Sequence, residues 1–216
     1  ELDRWALMRL GELIPKVRQS YEEFEFHAIF HALNNFCSVD LSAVYLDILK
    51  DRLYTFRKDA HERRSSQTVL YDVLVVLTKL MAPVLSFTAD EIWRMLPEAA
   101  RKEAASVHLA AFPKANPKWA DAKLAERWGM LLEVRTAVQA SLEEKRRDKV
   151  IGSSLEARVI LKVDDALQSV LKPYADDLTT LFIVSQVALE RGTGSGMTVE
   201  VKKADGEKCG RCWNYR

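Results

Sequence analysis

The chain has 216 residues, 48% hydrophobic and 29% charged, enough to bury the core of one large domain or two small ones. Its 32 Lys and Arg against 31 Asp and Glu leave a net charge of +1, so any pull toward nucleic acid must come from local basic clusters. No apolar run reaches the ~20 residues of a membrane span, the opening ELDRWALMRL is not a signal peptide, and three cysteines, an odd number, speak against a disulfide framework and for a reducing cytoplasm.

From Leu2 to about Leu96 the apolar spacing is helical. The first stripe is Leu2, Trp5, Leu10, Leu13, Ile14 and Val17, with Pro15 expected to kink or end that helix early. Phe26, Ile29, Phe30, Leu33 and Phe36 make a second stripe, and Cys37 beside it reads as core. Leu41, Val44, Tyr45, Ile48, Leu49 and Leu53 make a third, with Asp40 as its N-cap. A fourth, broader stripe runs from Val69 to Met81 through Leu74 and Leu77, and Pro83 breaks it. TADE then reads as a capping box, Thr88 to Glu91, opening a helix with Ile92, Trp93 and Leu96 on one face. Five amphipathic helices with short links predict an α-helical bundle.

Pro97, Pro113 and Pro117 punctuate the next stretch and place a boundary there. A long helix follows from about Asp121 to Lys149, with Leu124, Trp128, Leu131, Val138 and Leu142 at near-heptad spacing over too short a span for a coiled coil. After GSS at 152–154 the period changes to two, and Ala157, Val159, Leu161 and Val163 predict a strand. Asp164 or Asp165 caps a helix through Leu178, and FIVSQVAL and MTVEVKK read as two more strands around the turn RGTGSG. The expected organisation is a bundle over 1–112, a linker and long helix over 113–151, a small α+β module over 152–204, and a cysteine turn over 205–216.

No catalytic constellation is visible: P-loop, dinucleotide and nucleophile-elbow motifs are all missing from the sequence. His27 and His31 stand at i, i+4, a spacing that can hold a metal, but HAIFH lacks the Glu of H-E-x-x-H, and helix-face packing is the plainer reading. Cys209 and Cys212 form one C-x-x-C. Alone it fits half a zinc site, a redox pair or chance. Its setting after a strand and the turn-rich KKADGEK favours a zinc knuckle over a redox pair, which belongs at a helix N-terminus. Two basic clusters stand out: Arg57, Lys58, Arg63 and Arg64 between two helices, and Arg146, Arg147 and Lys149 at a helix end. Each is either a solvated surface or a set of phosphate contacts. Asp47, Lys50, Asp51 and Arg52 read as charges that pair with one another or fasten the bundle to a neighbour.

LSAVYLDILKDRLYT, SSQTVLYDVL, MAPVLSFTADEIW and SVHLAAFP together resemble the anticodon-binding helical domain of the class I synthetases for isoleucine, valine and leucine. KVIGSSLEARVIL and the terminal GEKCGRCW narrow the resemblance to bacterial-type isoleucyl-tRNA synthetases, over essentially the whole chain. The resemblance implies a mainly α fold, a helical bundle followed by a small α+β module and a truncated zinc knuckle. It implies a cytoplasmic, monomeric parent enzyme that attaches isoleucine to tRNA(Ile) with ATP and Mg, in catalytic and editing domains not present here. This stretch would then be cut from a longer chain, as its start without Met also suggests. In that family a second C-x-x-C completes the zinc knuckle, so Cys209 and Cys212 match the first ligand pair. Trp213 is the expected base-stacking residue for the anticodon loop, and Arg211 beside it a further contact. The competing readings are the same region of a valyl- or leucyl-type synthetase, or a helical scaffold that binds protein and not RNA.

Overall fold

A computed structural model describes residues 1–102, 104–192, 194 and 196–216. They divide into two compact units, Glu1–Ala122 and Lys123–Arg216.

In the first unit, helix α1 (Leu2–Glu22) buries Trp5, Leu10, Leu13, Ile14 and Val17, as their spacing predicts. It continues past Pro15 to Glu22, so the expected early end does not occur. Pro15 sits on the exposed side, where the Gly11 carbonyl that lacks its N–H donor is open to solvent, while the buried stripe on the other side holds the helix together.

Helix α2 (Phe26–Asn35) continues without interruption through a π-helical segment (Phe36–Leu46) into α3 (Asp47–Tyr54). The predicted start at Asp40 does not exist. Asp40 is buried inside the continuous helix, where its carboxylate takes Arg9 Nε at 3.0 Å and Nη2 at 3.3 Å from α1. A tertiary ion pair has replaced the capping role that local sequence suggested. Phe26 and Phe30, assigned to the core by periodicity, remain exposed, and Cys37 is half-buried.

Helix α4 (His61–Met81) packs Val69, Val73, Leu77 and Leu80 inward and leaves Leu74 outward. Asp3 ties the beginnings of α1 and α4 together and links them to the π-helical segment. It accepts bonds from Tyr45 Oη at 2.7 Å, Ser65 Oγ at 2.6 Å and Ser66 Oγ at 3.0 Å, with Arg52 Nη1 3.7 Å away. At the other end Tyr21 Oη donates to Leu80 O at 2.9 Å. The chain then turns at Pro83 into α5 (Ser86–Met95). That helix starts before Thr88, with Leu85 at the cap position and no side-chain cap, so the predicted Thr88–Glu91 box lies inside it. Trp93 is fully buried with Ala89, Leu96 and Val107, and its Nε1 donates to Ala104 O at 3.0 Å. A short α6 (Glu98–Arg101) and 3-10 turns at Val107–Leu109 and Pro117–Trp119 complete the unit.

Helix α7 (Ala122–Arg147) leads into the second unit and buries Leu124, Trp128, Leu131, Val138 and Leu142. Arg135 is also buried, donating from Nε to Leu181 O at 3.0 Å. The sheet has the order β2-β1-β3, with β1 (Ala157–Val163) in the middle. Asp164 caps α8 (Asp165–Leu171), accepting from Leu167 N at 2.9 Å, and α9 (Leu178–Phe182) follows. This crossover brings β2 (Gln186–Arg191) alongside β1 in parallel, while β3 (Met197–Lys203) pairs antiparallel on the other edge. β2 and β3 therefore never pair with each other, and RGTGSG is not a hairpin turn; its Thr193 and Ser195 lie outside the described residues. FIVSQVAL is also not all strand: Phe182 ends α9 and Ile183 takes a left-handed conformation before β2 begins.

Candidate zinc knuckle and nucleic-acid interface

The cysteine turn is a miniature hairpin fastened to the sheet. Gln186 on β2 holds the backbone of Asp205 from both sides, Nε2 to the carbonyl at 2.9 Å and Oε1 from the amide at 3.2 Å. Arg158 on β1 adds an ion pair to Asp205 at 2.7 Å. Glu207 and Arg216 exchange backbone bonds at 2.9 and 3.1 Å, and Cys209 N donates to Asn214 O at 2.9 Å. Gly206 makes the entry possible. It has φ +93°, and a Cβ there would lie 2.2 Å from Arg216 O. Ser185 anchors the returning strand: its Oγ accepts from Tyr215 N at 2.7 Å and donates to Leu155 O at 2.5 Å.

At the tip, the Cys209 sulfur accepts backbone N–H groups of Cys212 and Arg211 and interacts with the Cys212 side chain. These donors favour the charged sulfur and pull the thiol from its ordinary 9 down to about 7. A thiolate held by amide donors in a tight turn is what a zinc ligand needs, so the chemistry fits this metal. Cys209 and Cys212 could supply two of the four ligands such a site needs; among the described residues no group of three or more His, Cys, Asp or Glu could hold an ion. His27 and His31 are both exposed on α2 and belong to no such group; the His31 ring packs edge-on against Phe30, with 5.5 Å between centroids.

Trp213 follows the thiols in a left-handed conformation, φ +62°, and its N–H donates to Cys209 O at 2.9 Å. The turn therefore aims the indole, which is 60% exposed, and Lys208 Nζ stands 5.4 Å from its ring centroid. Arg211 is exposed at the same tip.

The basic end of α7 is also in this unit. Arg146 pairs with Glu143 at 3.2 Å. Arg147 and Lys149 are exposed, and Lys149 closes the helix with φ +60°. In the first unit the Arg57–Arg64 cluster is mixed. Arg57 makes two bonds to Asp59, at 2.8 and 3.1 Å, and Arg63 Nη1 donates to Phe56 O at 2.9 Å. Lys58 and Arg64 are exposed and make no ion pair among the described residues. Beside them Tyr54 is 80% exposed, an aromatic that periodicity alone did not single out. The charges of α3 are used internally: Lys50 pairs with Asp47 at 2.7 Å, Arg52 with Asp3, and Asp51 accepts from Thr55 Oγ1 at 2.8 Å.

No helix among the described residues is long and apolar enough to cross a membrane. The family described as the anticodon-binding domain of tRNA ligase matches residues 3–161. Along its whole length the chain is 52% identical to an isoleucine–tRNA ligase of Geobacter sulfurreducens, 50% identical to one of Syntrophotalea carbinolica and 47% identical to one of Symbiobacterium thermophilum. In each case it spans 24% of the longer protein. A helical bundle whose sequence matches over residues 3–161, carrying these relatives' sequence to its last residue, belongs to the anticodon-binding domain family of tRNA ligases.

Proposed function

We propose that the chain is the part of an isoleucine–tRNA ligase that grips the anticodon stem-loop of isoleucine tRNA, while activation of isoleucine with ATP and Mg and its transfer belong to other parts of the same polypeptide. The observation that carries the reading is Trp213: an exposed indole oriented by the turn that also presents two thiols. An anticodon loop offers unstacked bases, and a rigid aromatic surface is the common means of binding them. Lys58 and Arg64 on the bundle, and Arg147 and Lys149 at the end of α7, contact phosphates, with Arg57, Arg63, Arg146 and Arg211 as further cations in the same regions. Cys209 and Cys212 would hold a zinc ion together with two further ligands. The metal would fix the turn and therefore the direction of Trp213; this chain's own amides already hold the first sulfur in place. The protein works in the cytoplasm as a monomer, beside the catalytic domain of its own chain.

The test is filter binding to purified tRNA isoacceptors over a salt series, with and without zinc. Binding that prefers isoleucine tRNA and weakens steadily as salt rises fits the proposal, because phosphate contacts release counterions. Weak, salt-insensitive affinity with no preference among tRNAs would refute it.

A further inference from the structure

A groove of about 510 Å³ opens between α1 and the α2–π segment of the first unit, and neither the basic loop nor the knuckle contributes to it. Leu13 and Phe36 form its buried apolar floor. Two carboxylates line it, Glu12 and Asp40, and Arg9 engages both. The polar groups left over are Lys16 on α1 and His31, Asn34 and Asn35 on α2, all exposed. Helical spacing explains the convergence: His31, Asn34 and Asn35 are at i, i+3 and i+4 and share one face. None of these four side chains has an ion pair or a hydrogen bond among the described residues. The helix widens into its π-helical segment at Phe36, on the floor of the groove, and π geometry in proteins concentrates at functional positions.

We propose that this groove seats one nucleotide of the bound RNA, its phosphate against Lys16 and His31 and its base edge against Asn34 and Asn35. The volume lies in the range of small-ligand sites. The available side chains match the two halves of a nucleotide. Lys16 is a cation with no acid of its own. A carboxamide offers a donor and an acceptor side by side, which is the pairing a base edge requires, adenine above all. Arg9 engages both carboxylates, and the open groups left are a cation, an imidazole and two carboxamides. The proposal rests on the RNA-binding reading and adds a specificity site on the bundle to it.

Two variants test it on the full chain: Lys16→Ala, and the double change Asn34→Ala with Asn35→Ala. All three positions are exposed, so circular dichroism should match the parent. Lys16→Ala should weaken binding to every tRNA and reduce the slope of log affinity against log salt by about one. The double change should reduce preference for isoleucine tRNA by about tenfold or more and leave the salt slope unchanged. If the parent binds tRNA and both variants bind with its affinity, preference and slope, the groove proposal is overturned and the RNA reading stands. If the parent binds no tRNA, the RNA reading fails, and the groove is judged with adenosine monophosphate by NMR. Saturable shifts at the Asn34 and Asn35 side-chain amides and the His31 ring support the site; their absence overturns it.

Discussion

The amide of Trp213 donates to the carbonyl of Cys209, so the residue that presents the indole is closed onto the residue that presents the first thiol. Whatever holds the backbone of the turn also holds the point from which the ring projects. Trp213→Gly separates recognition from folding. The left-handed backbone costs a side-chain-bearing residue about 1 kcal/mol, which glycine avoids; the looser unfolded chain of a glycine and the lost Lys208 contact with the ring each cost about 0.5–1 kcal/mol. The gain and the losses largely offset, so thermal stability should fall by no more than about four degrees. RNA affinity should fall by the ~1–3 kcal/mol of one base stack, and preference for isoleucine tRNA should fall with it. A variant that binds every tRNA as the parent does removes Trp213 from base recognition.

Gly206→Ala probes the same hairpin from its base. The position has φ +93°, and the new Cβ would meet the Arg216 carbonyl at 2.2 Å, so both the conformation and the space forbid it. Strain of this kind costs about 1–3 kcal/mol, concentrated where Glu207 and Arg216 exchange backbone bonds. Hydrogen exchange should accelerate at the amides of Glu207, Cys209 and Arg216 and remain at parent rates in β1. Unchanged exchange would mean the hairpin is not held by this closure.

Which parts of this arrangement the sequence could reveal follows from the range of the forces involved. β1 and β3 were legible because alternation along a strand reports burial on its two faces directly. The four long helices were legible by the same logic at a period of 3.6. Their ends were not. Asp40, Pro15 and Thr88 each carry a strong local signal for a start or a stop, and each is overridden: by the tertiary Arg9 pair, by the buried stripe around Leu13 and Ile14, and by the turn after Pro83 that starts α5 two residues earlier. The topology of the sheet was equally hidden. RGTGSG has the composition of a hairpin turn, yet both flanking strands find a better partner in the buried β1. For the site, residue types announced the thiols, the indole and the cations, but not that Asp59 occupies Arg57 or that Tyr54 stands clear of the core.

The Arg9–Asp40 pair makes the continuous helix testable. The Asp40 side chain is 10% exposed and that of Arg9 is 36% exposed, so solvent screens only one side of the bond. Asp40→Ala removes two charge-assisted hydrogen bonds but leaves Arg9 its contact with Glu12. The net loss should be about 1–2 kcal/mol, read as a lower urea midpoint with an unchanged slope. A loss of helical signal in the folded baseline would instead show that the pair, and not packing, keeps the π segment helical.

Asp59 predicts an asymmetry inside the basic loop. Arg57 is already neutralised by it, whereas Lys58 and Arg64 face solvent without an ion pair. Lys58→Ala and Arg64→Ala should each reduce the salt slope of tRNA binding by about one, and Arg57→Ala by less. Equal slopes for all three would show that RNA pulls Arg57 away from Asp59.

The thiol of Cys209 gives a pH prediction with a definite sign. Amide donors hold it at about 7, against 9 for an ordinary thiol. A lowered folded value means the charged sulfur favours the folded turn: that contribution is complete above pH 9, declines as pH falls toward 7, and is gone below it. In metal-free protein, alkylation of Cys209 by iodoacetamide should be half-maximal near pH 7. Cys37, half-buried on the bundle and pushed above the ordinary value by desolvation, should react only at higher pH. Arg211→Pro deletes one of the two N–H donors to the sulfur and keeps both thiols. Its Cys209 profile should move toward pH 9, and its zinc affinity at neutral pH should drop, since more of the thiol must lose its proton to bind. If the profile does not move, the Arg211 amide has no part in the sulfur's acidity, which then rests on the amide and thiol of Cys212.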